Sequence, residues 1–137
     1  MARTAFVVEG LMKVLVADDD PDFVVLLKTY LEGQGWRTSV ATDALQAGMV
    51  VRRDEPDAVL LDINMPGGSG IRALKQLKAS PKFGHIPVIV ISARDDEQLP
   101  RSMTELGAAA FLRKPFALAD VHRLLVQLVP KAAPQPA

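Results

Sequence analysis

Four places along the chain carry residues that could do chemistry together. Asp18-Asp19-Asp20 directly follows the apolar run KVLVA, and Asp62 follows DAVLL. Ser92 ends the run IPVIVIS, and Lys114 follows AAFLR. If these run ends meet, several carboxylates, one hydroxyl and one ammonium share a cleft. Two carboxylates about 4 Å apart repel by roughly 4 kcal/mol at an effective dielectric near 20. A cluster of three therefore calls for a cation. A hard divalent ion suits oxygen ligands, and Mg²⁺ is typically held by one or two carboxylates plus water and phosphate oxygens. A carboxylate can also act as a nucleophile and form an aspartyl phosphate. Phosphoryl transfer needs mainly positioning and charge neutralisation, which this set of side chains offers.

The elements that must position these residues are legible from patterning. The runs at 13–17, 57–61 and 86–92 are apolar without in/out alternation, as in strands covered on both faces of a parallel sheet. A weaker strand is expected at 108–112, and a more polar edge strand at 36–41. Between them lie helical stripes. In 21–32, Phe23, Leu26, Leu27, Tyr30 and Leu31 recur at helical spacing, with Asp20 as N-cap, Pro21 at the first helical position and Gly33 as terminator. Helices are also expected over 43–53 with Thr42 as cap, over 70–79, and over 117–129, where Ala117 offers no capping side chain. Another spans about 95–106, kinked at Pro100 or starting near Leu99. Asp95, Asp96 and Glu97 suit the start of that helix. Asp57 is expected to be a solvated strand end. Five strands alternating with five helices imply an open, doubly wound α/β fold whose ligand site lies at the carboxyl ends of the strands.

Composition narrows the function. The chain has 137 residues, of which 49% are hydrophobic and 23% charged, as in one soluble globular domain. Sixteen Lys and Arg balance sixteen Asp and Glu, so no basic excess recommends direct nucleic-acid binding. With no cysteine, thiolate metal sites and Cys nucleophiles are excluded. His85 and His122 are the only histidines and have no matching ligand cluster, so both are read as structural or solvent-facing. No run is long enough to span a membrane and no signal peptide is evident, so the expected location is the cytoplasm.

The segments VLVADDDP, LLDINMPGGSG, PVIVISA and FLRKPF together resemble the receiver domain of two-component response regulators (CheY-like), over roughly residues 12–129. Residues 1–11 form an N-terminal extension to that domain and 130–137 a Pro/Ala-rich tail. Too few residues follow Val129 for an output domain, which suggests a stand-alone regulator, a relay intermediate or a fragment. The resemblance implies a flavodoxin-like sheet of order 2-1-3-4-5 with five helices. It implies a phosphoacceptor at Asp62 and Mg²⁺, or Mn²⁺, held by Asp18, Asp19, Asp62 and the backbone carbonyl of Asn64. It assigns phosphate contacts to Ser92 and Lys114, an aromatic switch to Phe111, modulation of phosphoryl lifetime to Asn64 and Arg94, and a cis bond to Lys114-Pro115. The implied partners are a histidine kinase or histidine phosphotransfer protein and a downstream protein reading residues about 95–129, with homodimerisation on activation. Such a protein is a signalling phosphoacceptor rather than an enzyme, though it catalyses its own phosphotransfer and dephosphorylation. Two alternatives compete: a receiver fold that binds partners without phosphorylation, and a nucleotide-binding α/β enzyme. The second rests on Gly68-Ser69-Gly70-Ile71-Arg72-Ala73, a G-x-G-x-x-A match that does not follow its strand directly.

Overall fold

The computed structural model describes residues 12–65 and 70–129. The expected N-terminal extension and tail, and Gly68-Ser69 of the glycine motif, lie outside the described residues. Ten elements alternate: β1 (Lys13–Ala17), α1 (Pro21–Gly33), β2 (Arg37–Ala41), α2 (Ala44–Asp54), β3 (Ala58–Asp62), α3 (Gly70–Ala79), β4 (Val88–Ser92), α4 (Leu99–Glu105), β5 (Ala110–Arg113) and α5 (Leu118–Leu128). All strands pair in parallel, in the order β2-β1-β3-β4-β5. This is the doubly wound sheet expected from the alternation.

The unbroken apolar runs have a simple cause. Leu15, Ala17, Val59, Leu61, Val88 and Val90 face one core layer, with Ala47, Val50 and Val51 of α2, Leu74 of α3, and Leu99 and Met103 of α4. Their chain neighbours Val14, Val16, Ala58, Leu60, Ile89 and Ile91 face the other, with Val24, Leu27 and Leu31 of α1 and Val121 and Leu125 of α5. Every residue of β3 and β4 is therefore buried. Fully burying one such side chain contributes about 1.5–3 kcal/mol. β2 and β5, at the sheet edges, are only partly buried over most of their length.

Asp20 caps α1, accepting from the Asp22 and Phe23 amides, with Pro21 in the first turn. Four local expectations need correction. The cap of α2 is Asp43, whose Oδ1 accepts from the Gln46 amide at 2.8 Å. Thr42 instead meets the Gln46 side chain with its own amide and hydroxyl. Gly33 is still helical, and Gly35 (φ 98°) supplies the left-handed residue that turns the chain into β2. Asp57 is more than a solvated end, because its Oδ2 accepts from the Lys13 amide at 2.8 Å and ties β3 to the start of β1. α4 begins at Leu99, with Pro100 in its first turn, so the acidic run precedes the helix and forms the loop leading to it. α5 has no side-chain cap, in keeping with Ala117.

Candidate functional site

Parallel register brings the chemically distinctive residues to one edge. Ala17 pairs with Leu61, Asp62 with Ile91, and Ser92 with Arg113. The chain just past β1, β3, β4 and β5 is thus level along the carboxyl ends. Side-chain oxygens of Asp18, Asp19 and Asp62 lie within 4.8 Å of one another. Asp18 is 1% exposed, Asp62 5% and Ser92 0%, whereas Asp19 faces solvent. Asp20 is not part of this cluster; its carboxylate is spent on the helix cap.

Each buried carboxylate has one oxygen held by the backbone and one turned to Lys114. Asp18 Oδ1 accepts from the Asp20 amide at 2.9 Å, and Asp18 Oδ2 accepts from Lys114 Nζ at 2.8 Å. Asp62 Oδ1 accepts from the Asn64 amide at 2.9 Å, and its Oδ2 lies 3.5 Å from Lys114 Nζ. The Lys114 amide donates to the Ser92 carbonyl, which carries β5 pairing up to the site. The Lys114–Pro115 peptide bond is cis. Beneath the ammonium lies the Phe23 ring, with its centroid 4.3 Å from Nζ, and Phe116 packs edge-on against that ring. A cation over an aromatic face gains about 0.5–2 kcal/mol.

Electrostatics in the cleft are unbalanced. Burial raises the Asp62 pKa and the Asp18 charge adds to the rise; the Asn64 amide and Lys114 oppose it. Burial pulls Lys114 down, but its hydrogen bond to Asp18 and the charges of Asp18 and Asp62 outweigh this, so its pKa lies above the usual lysine range. One ammonium faces three carboxylates, and the donor set is entirely hard oxygen. That set fits Mg²⁺, which would be held by Asp18, Asp19 and Asp62 and would supply the missing positive charge.

Other expected residues lie around this centre. The Ser92 hydroxyl accepts from Asn64 Nδ2 at 3.2 Å and from the Arg94 amide at 3.0 Å. The Arg94 guanidinium turns to Asp96, 3.7 Å away. Phe111 is partly buried against the α2–α4 core layer, with the Arg113 guanidinium 5.6 Å from its ring centroid. His122 Nδ1 accepts from Trp36 Nε1 at 3.2 Å, which gives it a structural role.

Three contributors have roles at the site that sequence reasoning did not assign to them. Phe23 was counted only as a core residue, though its place three residues after the N-cap puts it beside the acidic turn. Gly70 has no room for a Cβ, which would stand 2.3 Å from Ile63 Cα and 2.5 Å from the Asp62 carbonyl oxygen. Arg113 lies within FLRKPF, but no role attaches to it from the sequence. A separate cavity of about 190 Å³ opens between α2 and α3, lined by Ala47, Gly48, Leu77 and Phe83 among others. It results from small residues facing each other and contains no carboxylate.

The family model for the response regulator receiver domain matches residues 14–126. The chain belongs to this family. It is 32% identical over 118 residues to sporulation initiation phosphotransferase F of Bacillus subtilis, covering 86% of the chain and 94% of that protein. It is 32% identical to response regulator MprA of Mycobacterium leprae, but spans only 54% of that relative's length. Among solved structures, the receiver domain of Francisella response regulator 1452 is 32% identical with a TM-score of 0.81, covering 88% of this chain and 98% of that one. The receiver domain of sensor histidine kinase PA1611 from Pseudomonas aeruginosa PAO1 is 26% identical with a TM-score of 0.79, covering 88% and 98%; it was solved with a magnesium ion coordinated in its active site cleft. Response regulators interact with histidine kinases or phosphotransfer proteins, and receiver domains bind Mg²⁺ at an acidic site. This receiver domain carries its acidic cluster, Asp18, Asp19 and Asp62, at the carboxyl edge of its sheet. Gly70 of the glycine motif opens α3, which follows the third strand rather than the first, and this removes support for the nucleotide-binding alternative. Among the described residues no helix is long and apolar enough to cross a membrane.

Proposed function

We propose that the domain accepts a phosphoryl group on Asp62 from a phosphohistidine of a partner kinase or phosphotransfer protein. An Asp62 carboxylate oxygen attacks phosphorus in line. The new O–P bond forms as the N–P bond breaks, and the departing imidazole takes up a proton. Asp18, Asp19, Asp62 and the Asn64 carbonyl would hold Mg²⁺, or Mn²⁺ in its place, which would supply positive charge beside the phosphoryl oxygens. Lys114 pairs with the phosphoryl group, and the Ser92 hydroxyl turns to it. Arg94 and Asn64, which flank that hydroxyl, tune hydrolysis of the acyl phosphate by the domain itself. Movement of the Ser92 loop and Phe111 then biases a surface over residues 95–129 toward a downstream protein or a second copy of the chain, in the cytoplasm.

The observation that carries this reading is the arrangement of Asp62 itself. A carboxylate 5% exposed sits within 4.8 Å of two other acids, with an ammonium 3.5 Å away. Intact-mass measurement after incubation with acetyl phosphate and Mg²⁺ tests it. The expected result is a gain of one phosphoryl group, absent in Asp62→Asn and in EDTA. No gain from either acetyl phosphate or a phosphohistidine donor, with folded protein, would overturn the reading in favour of a phosphorylation-independent binding module.

A further inference from the structure

The loop from Ala93 to Gln98 connects β4 to α4 and contains no buried residue. Apolar packing therefore cannot hold it. What grips it is a side chain from the neighbouring strand. Arg113, paired in register with Ser92, donates from Nη1 to the Arg94 carbonyl and from Nη2 to the Asp96 carbonyl at 3.2 Å. The Asp96 carbonyl also accepts from the Leu99 amide at 3.1 Å, the first residue of α4. Asp95 Oδ1 lies 3.8 Å from the same guanidinium, though the Asp95 side chain is fully exposed and adds little. The planar fork of arginine suits two carbonyls at once, and its Cζ lies 5.6 Å from the Phe111 ring centroid, within cation–π range.

This grip reaches the acidic cleft through a short chain of bonds. Arg113 holds the Arg94 carbonyl, the Arg94 amide holds the Ser92 hydroxyl oxygen at 3.0 Å, and Asn64 Nδ2 holds that oxygen from the other side at 3.2 Å. Asn64 is in turn bonded through its amide to Asp62. We propose that Arg113 is a positioning residue: it latches the β4–α4 loop to β5 and so holds the Ser92 hydroxyl back from the acidic cleft. Releasing the latch frees the loop and lets that hydroxyl turn toward Asp62. The link to phosphoryl acceptance rests on the function proposed above, whereas the latch itself does not.

Two arms separate these levels. The first is amide hydrogen exchange of the metal-free, unphosphorylated protein, comparing wild type with Arg113→Ala and Arg113→Lys. The Arg94, Gln98 and Leu99 amides, all bonded within the loop, should exchange about tenfold faster in Arg113→Ala, with core amides and the denaturation midpoint unchanged. Arg113→Lys should be intermediate, since one ammonium keeps the charge but cannot fork to both carbonyls. Unchanged loop exchange in Arg113→Ala would overturn the latch. The second arm is the rate of phosphoryl uptake from acetyl phosphate at saturating Mg²⁺. Uptake should rise about three- to tenfold in Arg113→Ala, in step with loop exchange across the three proteins. Accelerated exchange with unaltered or slower uptake would refute the positioning role. If wild type takes up no phosphoryl group from acetyl phosphate or from a phosphohistidine donor, the function proposed above fails, and the exchange arm still decides the latch.

Discussion

Replacing Asp62 by Asn should stabilise the metal-free domain. Asp62 and Asp18 have oxygens within 4.8 Å, so their repulsion is at least about 3.5 kcal/mol at an effective dielectric near 20. Lys114 at 3.5 Å returns about 5 kcal/mol on the same scale. These two terms nearly cancel. What remains is the desolvation of a carboxylate only 5% exposed, a penalty of several kcal/mol per ion even after relaxation, and a screened repulsion from exposed Asp19. The upward shift of the Asp62 pKa, caused first by burial, gives the same sign. Asparagine keeps an oxygen for the Asn64 amide and leaves Lys114 on Asp18. The net gain should be about 1–2 kcal/mol in EDTA at neutral pH, or roughly 3–8 °C in Tm. Urea unfolding of both proteins measures it.

The pH dependence supplies a second check. A raised carboxyl pKa means that the folded state binds the proton more tightly than the unfolded state does. The wild-type penalty is therefore fully present above the folded pKa and is relieved as pH falls through it toward the unfolded value. The gap between the proteins should narrow on acidification. Saturating Mg²⁺ should narrow or reverse it, because a ligand at one hundred times its Kd stabilises by about 2.7 kcal/mol and the variant has lost a ligand. A loss of 1 kcal/mol or more for Asp62→Asn in EDTA would refute the charge argument.

Other outcomes follow from the same contacts. Lys114→Met should cost about 2 kcal/mol in EDTA, because it leaves Asp18 and Asp62 buried side by side without their cation, and Mg²⁺ should recover most of the loss in thermal melts. Gly70→Ala should destabilise by about 1–3 kcal/mol and slow phosphoryl uptake, since the new methyl displaces the backbone that carries Asp62; denaturation and intact-mass kinetics read the two effects. Asp20→Ala should lose about 1 kcal/mol through the α1 cap, yet leave Mg²⁺ affinity near wild type in a calorimetric titration, because its carboxylate is outside the acidic cluster.

The sheet was legible because burial on both faces leaves a plain mark. Runs such as VLL in β3 and VIVI in β4 have no polar side to alternate with. The acids and Lys114 were legible for a related reason. Charged residues directly after such runs are out of character for a core and fall at the strand ends where ligands bind. Local ends were harder. Thr42 and Asp43 are both capping types, and only backbone geometry selects Asp43. The same holds for Gly33 and Gly35, two residues apart, of which one turns left-handed. Arg113 was invisible because its partners are main-chain carbonyls, which every sequence possesses. Phe23 was seen as apolar, which it is; its use as a seat for Lys114 depends on α1 meeting the end of β5.

Charge arithmetic connects the cleft to the loop beyond it. Asp18, Asp19 and Asp62 against Lys114 leave two excess negative charges, which one divalent ion cancels. In the proposed reaction the single charge of Asp62 is replaced by a phosphoryl group of about −1.5 to −2. Mg²⁺ and Lys114 are then insufficient, and the surplus must be met by neutral donors. Ser92 is the buried hydroxyl at this edge, but its oxygen is occupied by accepting from Arg94 and Asn64. To donate to the phosphoryl group it must turn, and turning disturbs the Arg94 amide. Shifting Arg94 works against the hydrogen bond its carbonyl accepts from Arg113. The phosphoryl charge therefore does work against the latch, and the β4–α4 loop is the first part of the domain obliged to move.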